Sequence, residues 1–197
     1  AENNINQSAD HPIAFPYPGD MFGTLTYEGG GWILHMIRMR MGNYLFFQFL
    51  KTYPQIFAGK TVTTAAFFQF IEWFTGDDWT GFRQQWVERT GTPDYTLYWM
   101  PVENQLSIRL CSNRPTQGYD IDIPLHIEDA AGNRGDAVVN IKPGSQQYDF
   151  MFQTPFIPAI LTVDPQEVLL DNIQPQAVSA LPECTVSQVP LTTPEAQ

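Results

Sequence analysis

The side chains best suited to chemistry in this sequence are three histidines, a tyrosine–glutamate pair and a run of carboxylates, and their spacing sorts them. His11, His35 and His126 are the only histidines. No two of them stand one helical turn apart, the spacing that brings two imidazoles onto one metal ion, so the pattern argues against a zinc site in this chain. His35 borders an apolar helix face and His126 faces outward from a strand, both ordinary places for a polar ring. Asp120, Asp122, Glu128 and Asp129 suggest calcium by composition, but they lack the glycine-and-glutamate frame of an EF-hand. A Gly-x-Ser-x-Gly elbow and a phosphate-binding glycine loop are both absent from the sequence, which leaves no case for a serine hydrolase or a nucleotide enzyme. What remains is Tyr27-Glu28, just ahead of Gly29-Gly30-Gly31. A phenol at a helix start can stabilise an oxyanion or simply pack, and one tyrosine beside a glutamate does not decide between them. Glu28 suits a helix N-terminus electrostatically without any catalytic role.

The elements that must position Tyr27 are short, aromatic helices. Trp32, Ile33, Met36, Ile37 and Met41 recur at three- and four-residue spacing, which predicts a helix from about Gly31 to Met41 with Gly42 as its stop. Asn43 is placed to cap a second helix, whose Phe46, Phe47, Phe49, Leu50 and Tyr53 crowd one side until Pro54 ends or kinks it. A third helix is expected from Thr63 or Thr64, closed by Gly76, and a fourth from Trp79 to about Arg89, capped by Asp77 or Asp78. The aromatic run Phe67, Phe68, Phe70, Trp73 and Phe74 offers a ligand groove in principle, but helical spacing accounts for it as core.

After Gly91-Thr92-Pro93 the period changes. Tyr95–Met100, Gln105–Cys111, Tyr119–Ile127, Ala137–Ile141, Gln147–Phe152 and Ala159–Val163 read as strands separated by turn residues, and such a series favours an antiparallel β-sandwich. Pro124 points to an edge position or a bulge. The predicted class is therefore α+β, in several domains: an extended lead-in at 1–26, a helical subdomain at 27–92, a β-sandwich at 93–173 and a proline-rich, poorly ordered tail at 174–197.

Composition is compatible with this organisation. The chain is 43% hydrophobic and 14% aromatic over 197 residues, enough for a sizeable core. Its net charge of −11 argues against a nonspecific nucleic-acid or anionic-membrane surface. No membrane-spanning segment is expected, since even Trp32 to Met41 is broken by His35, Arg38 and Arg40. Cys111 and Cys184 are the two cysteines, and their spacing allows one disulfide or two free thiols equally. The opening at Ala1, without a methionine or a signal-peptide pattern, reads as a processed or engineered beginning and the chain as an excised piece.

In order along the chain stand His11-Pro12, Tyr27-Glu28 with Gly30, Thr63-Thr64, Gly76-Asp77, Gln85-Trp86 and Gly91-Thr92-Pro93-Asp94-Tyr95. None is specific alone. Their order over roughly 150 residues, with sandwich-like strands following, resembles the downstream half of the zinc aminopeptidases related to aminopeptidase N and leukotriene hydrolase. The resemblance implies late catalytic helices plus the sandwich of a gluzincin metallopeptidase. It also implies that Tyr27 is catalytic, its hydroxyl aimed at the carbonyl oxygen that becomes an oxyanion when water attacks the scissile peptide. Such a donor is commonly worth about 3 kcal/mol.

The His-Glu-x-x-His and second glutamate that hold zinc in those enzymes are missing here. The resemblance thus places zinc in the parent protein, with no cofactor in this chain, and it makes the missing upstream zinc-binding region this chain's partner. Peptide hydrolysis then belongs to the full-length parent, the isolated chain is expected to be inactive, and the compartment implied is secreted or periplasmic. One departure stands out: many relatives carry lysine where this chain has Gly29, which signals either a close backbone approach or a lost constraint. The alternative function is a noncatalytic interaction or structural module on the same scaffold, and the parent's upstream sequence discriminates the two.

Overall fold

The computed structural model describes residues 11–19, 21–114, 118–169 and 171–184. A π-helical turn at Leu25–Gly29 leads into α1 (Gly30–Met41), followed by α2 (Asn43–Phe57), α3 (Thr64–Thr75) and α4 (Thr80–Trp86). Seven strands follow: β1 (Asp94–Val102), β2 (Gln105–Ser112), β3 (Ile121–Glu128), β4 (Arg134–Ile141), β5 (Gln147–Gln153), β6 (Ile160–Val163) and β7 (Asn172–Ala177). The fold is α+β, helices first. Two compact units divide the chain, one of residues up to Thr92 with Gln166–Asn172, the other of Pro93–Pro165 with the residues from Ile173 on.

In the helical unit, Ile33, Met36 and Ile37 of α1, Phe46 and Phe49 of α2, and Phe68, Phe70 and Ile71 of α3 are buried as their spacing predicts, whereas Phe47, Leu50 and Trp73, expected on the same apolar faces, are exposed. Phe49 is fully buried, with the rings of Tyr53, Phe67, Phe70 and Phe74 each 5.5–5.8 Å from its own. These are the tilted and edge-to-face arrangements that the aromatic quadrupole favours. Thr63 caps α3, its hydroxyl accepting from Ala66 N at 3.2 Å. Gly76 closes the same helix at φ 77°, the left-handed conformation that costs glycine nothing.

Three local expectations are corrected. Asn43 does not cap α2, because its Oδ1 accepts from Arg38 Nε at 2.7 Å instead. Pro54 does not end that helix, which continues to Phe57. Proline removes one amide donor there, but the rings of Tyr53 and Phe57 lie 5.0 Å apart and Phe57 meets Phe70 edge-on at 5.4 Å, so ring packing holds the last turn. The fourth helix is shorter than its pattern, ending at Trp86. Asp78 does serve its start, Oδ1 accepting from Thr80 N at 2.8 Å.

The strand unit holds a four-stranded sheet in the order β5-β2-β1-β7 and a three-stranded sheet in the order β4-β3-β6. The β1–β2, β2–β5, β3–β4 and β3–β6 pairings are antiparallel. Alternation buries one face of each sheet: Tyr95, Leu97 and Trp99 with Leu106, Ile108 and Leu110 in the first, and Ile121, Ile123, Leu125 and Ile127 with Val139 and Ile141 in the second. Pro124 is neither on an edge strand nor in a bulge. It lies on central β3, opposite Val138 of β4. Its carbonyl accepts from Asp164 N at 2.8 Å, just past the last β6 pair at Leu125–Val163. A backbone N–H points to the same side as its own carbonyl in a strand, so the missing donor faces the place where β6 has ended.

Residues 174–177, which composition assigns to a tail, complete β7. The chain beyond them is also tied down: Val178 N donates to Trp99 O at 2.9 Å, and Arg109 Nη1 donates to Pro182 O at 3.0 Å. Cys111 and Cys184 form a disulfide with their Cα atoms 5.2 Å apart. The rest of the expected tail, 185–197, and the polar start of the lead-in, 1–10, lie outside the described residues.

Candidate active site

Tyr27 sits in the middle of the π turn. Its N–H donates to Gly23 O at 3.2 Å, and its carbonyl shares the Gly30 N–H with Thr26 O. Leu25 and Gly29, one turn apart, are both buried, whereas Tyr27, half-way between them, is 65% exposed. Two positions on the inward face thus force the phenol to the outward one. π turns are rare and recur at functional sites, and this one ends in glycines that give its backbone room.

Two residues beside the turn, one on the Tyr27 side and one opposite, were not singled out by the sequence. Phe22, also exposed, stacks on Tyr27 with ring centroids 6.5 Å apart and planes at 30°. Ile13 of the lead-in reaches the other side of the turn, where a Cβ on Gly29 would stand 3.3 Å from Ile13 Cδ1 and 3.2 Å from Leu25 Cδ1. The five-residue step from Phe22 to Tyr27 and the lone aliphatic Ile13 among prolines were the available signals. The lead-in is anchored beside that contact by Ala14 N donating to Val87 O at 2.9 Å. His11 is buried, with its ring edge-on to Tyr17 at 4.9 Å.

An open cleft of about 290 Å³ lies in the same unit, lined among others by Ile13, Gly30, Ile33, Tyr53, Thr64 and Phe67. Its lining side chains are mostly aliphatic and aromatic, with the hydroxyl-bearing Tyr53, Thr63 and Thr64 among them. Burial raises the Tyr53 phenol above its ordinary value, so it stays protonated, a neutral donor, through the physiological range.

Among the described residues no group of three or more His, Cys, Asp or Glu side chains converges to hold a metal ion. His35 lies edge-on to Trp32 on α1, and His126 pairs with Asp136 at 2.7 Å. The carboxylates that suggested calcium are each engaged elsewhere: Asp120 with Lys142, Asp122 with Asn140, Glu128 with Arg134, and Asp129 with Asn133. The Asp129 carboxyl is held below its ordinary value, first by Asn133's side chain, as expected for an Asx turn that accepts several N–H groups. The described residues therefore assemble no set of zinc ligands, and an exposed phenol by itself cannot generate a nucleophile.

No protein-family model matches the chain, and no curated protein matches it in sequence. Among solved structures, it is similar to the crystal structure of Legionella pneumophila aminopeptidase A in complex with aspartic acid, with a TM-score of 0.60 and 18% sequence identity. The chain shares its fold with part of an aminopeptidase. That likeness takes in 79% of this chain and spans only 18% of the length of the Legionella protein. Among the described residues no helix is long and apolar enough to cross a membrane.

Proposed function

We propose that this chain is the downstream portion of a zinc-dependent, aminopeptidase-like metallopeptidase and that Tyr27 is its oxyanion donor. The observation that carries the proposal is the placement of Tyr27: an exposed phenol on a π turn at a helix start, within a fold shared with part of an aminopeptidase. The Tyr27 hydroxyl donates a hydrogen bond to the carbonyl oxygen of the scissile peptide bond, an interaction that strengthens as the oxygen gains charge. A donor fixed in place before reaction lowers the barrier because it reorganises little when the charge appears. Zinc and its ligands belong, on this reading, to the upstream region of the parent, and this chain alone does not hydrolyse peptides. The disulfide is compatible with a secreted or periplasmic parent.

The test is Tyr27→Phe in the full-length, zinc-loaded parent. Loss of the hydroxyl alone lowers turnover about 100-fold or more, with zinc content and substrate affinity little changed, because the lost bond belongs to the transition state. A tyrosine used only for packing loses little on this change, since phenylalanine keeps the ring. Near-normal turnover rejects the catalytic role. A parent whose upstream region lacks zinc ligands rejects the enzyme and leaves a noncatalytic module on the same scaffold.

A further inference from the structure

We infer that Gly29 is a positioning residue for Tyr27, acting through the absence of its side chain, and that Ile13 is the surface against which it is set; the inference rests on Tyr27 being the oxyanion donor. Gly29 is the last residue of the π turn and is buried, with ordinary right-handed backbone angles of φ −62° and ψ −44°. Its conformation therefore does not require glycine. Space does. A Cβ there meets Leu25 Cδ1 at 3.2 Å and Ile13 Cδ1 at 3.3 Å, closer than such atoms comfortably approach, whereas a Cβ on Gly30 or Gly31 meets nothing within 4 Å.

Leu25 belongs to the same turn, so part of that crowding is internal to the element that carries Tyr27. Ile13 belongs to the lead-in, which is fixed one residue later by the Ala14–Val87 backbone bond. An added methyl is therefore taken up by a shift of a few tenths of an ångström, shared between the Leu25 and Ile13 side-chain ends and an outward movement of the turn. Tyr27 is two peptide units from Gly29 on the opposite side of the turn, and its hydrogen-bonded backbone moves with it. A hydrogen bond to a developing charge is sensitive to such movement: misplacement of about 1 Å can cost about 100-fold in rate, and a shift of a few tenths correspondingly less, up to roughly tenfold.

The experiment compares Gly29→Ala in two backgrounds of the full-length, zinc-loaded parent, Tyr27 and Tyr27→Phe. With Tyr27 present, Gly29→Ala lowers kcat roughly tenfold with KM little changed; with phenylalanine at 27 it lowers kcat by less than about twofold, because the donor it displaces is gone. Adding Ile13→Ala to Gly29→Ala removes the lead-in's share of the crowding, leaving Leu25, and restores part of the turnover. A second readout needs no metal. In this chain labelled with ¹³C-tyrosine, the Tyr27 ring signal, assigned by its loss in Tyr27→Phe, moves in Gly29→Ala as the ring shifts relative to Phe22, and returns part of the way in the Ile13→Ala/Gly29→Ala double variant.

If Tyr27→Phe is itself silent in a folded, zinc-loaded parent, the donor reading fails and the Gly29 inference falls with it. If Tyr27→Phe is damaging but Gly29→Ala leaves kcat unchanged, or lowers it equally in both backgrounds, the donor reading stands and the positioning role is rejected. An unmoved Tyr27 signal in Gly29→Ala rejects it as well.

Discussion

Gly29, Gly30 and Gly31 are the same residue three times, and they answer to different constraints. In sequence they are only a stretch that costs helix propensity, about 1 kcal/mol for each interior glycine. The fold separates them, since Gly29 is buried against Leu25 and Ile13 while Gly31 is exposed with open space around its Cα. Sequence alone does not distinguish the two, because one crowding atom comes from Ile13 of the lead-in and the other, on Leu25, faces Gly29 only once the turn has formed. Gly31→Ala is therefore expected to stabilise the protein by roughly 0.5–1 kcal/mol, mainly by restricting the unfolded chain, as urea denaturation will read. A destabilised Gly31→Ala would mean that the glycine is needed at 31 for a reason the local space does not contain. A second residue-scale prediction concerns Asp149, whose carboxyl accepts from Arg109 Nε at 2.6 Å and Nη2 at 3.0 Å. That pair, before other causes, holds the carboxyl below its ordinary value. A carboxylate lowered on folding adds stability that is fully present above its unfolded value, about 3.9, and is lost as pH falls through the folded value. Wild type should thus exceed Asp149→Asn in denaturation midpoint at pH 7, with the gap closing as the pH falls below about 4. A gap independent of pH would assign the effect to something other than the charge.

At the scale of elements, periodicity was a good guide wherever packing followed it and a poor one wherever a distant contact overrode local preference. Most of the apolar positions expected on α1, α2 and α3 are buried or half-buried, with Phe47, Leu50 and Trp73 the exposed exceptions, and the alternation along β1, β2 and β3 marks their core faces. Pro54 does not end α2, because rings of α2 and α3, out of reach of any local rule, hold the turn beyond it. β7 was missed because Pro175 and the polar residues around it leave Ile173 as its one buried side chain. The strand exists through its place beside β1 in the sheet rather than through its own pattern. Tyr27 was legible as a site candidate only through its place in a series of short motifs, since its exposure follows from Leu25 and Gly29 turning inward. The start of α3 was legible at Thr63 or Thr64, and the structure makes Thr63 the cap, a threonine hydroxyl just before an apolar run. Thr63→Ala leaves the Ala66 amide without that acceptor and is expected to cost about 1 kcal/mol, whereas Thr63→Ser retains the hydroxyl and most of the stability. Equal losses in both variants, measured by thermal unfolding, would show that the γ-methyl rather than the cap is what matters.

The scale of the whole chain is where the disulfide acts, and the pairing was open in the sequence because two cysteines 73 residues apart carry no local sign of proximity. β2 and the chain after β7 bring them together. Cys111 and Arg109 lie two residues apart on β2, on the opposite side of the strand from the buried Leu106, Ile108 and Leu110. From the same strand, Cys111 bonds Cys184 while Arg109 donates to Pro182 O and lies 3.8 Å from Glu183. The segment that follows β7 is thus held to β2 by one covalent and two polar links within three residues. A crosslink closing a loop of this length removes unfolded-chain entropy worth on the order of 4 kcal/mol, a large share of the 5–15 kcal/mol by which domains are usually stable. Cys184→Ser, or reduction of the wild type, should therefore lower the unfolding free energy of the strand unit by about 2–4 kcal/mol, allowing for native strain. Because Cys184→Ser leaves no intrachain disulfide to break, reductant should have no further effect on that protein. The two treatments also bear on the proposed compartment, since a secreted or periplasmic protein keeps its disulfide and a reducing cytosol removes it. A reduced protein as stable as the oxidised one would show that Arg109 and the β7 pairing suffice, and would remove the disulfide as support for an oxidising home.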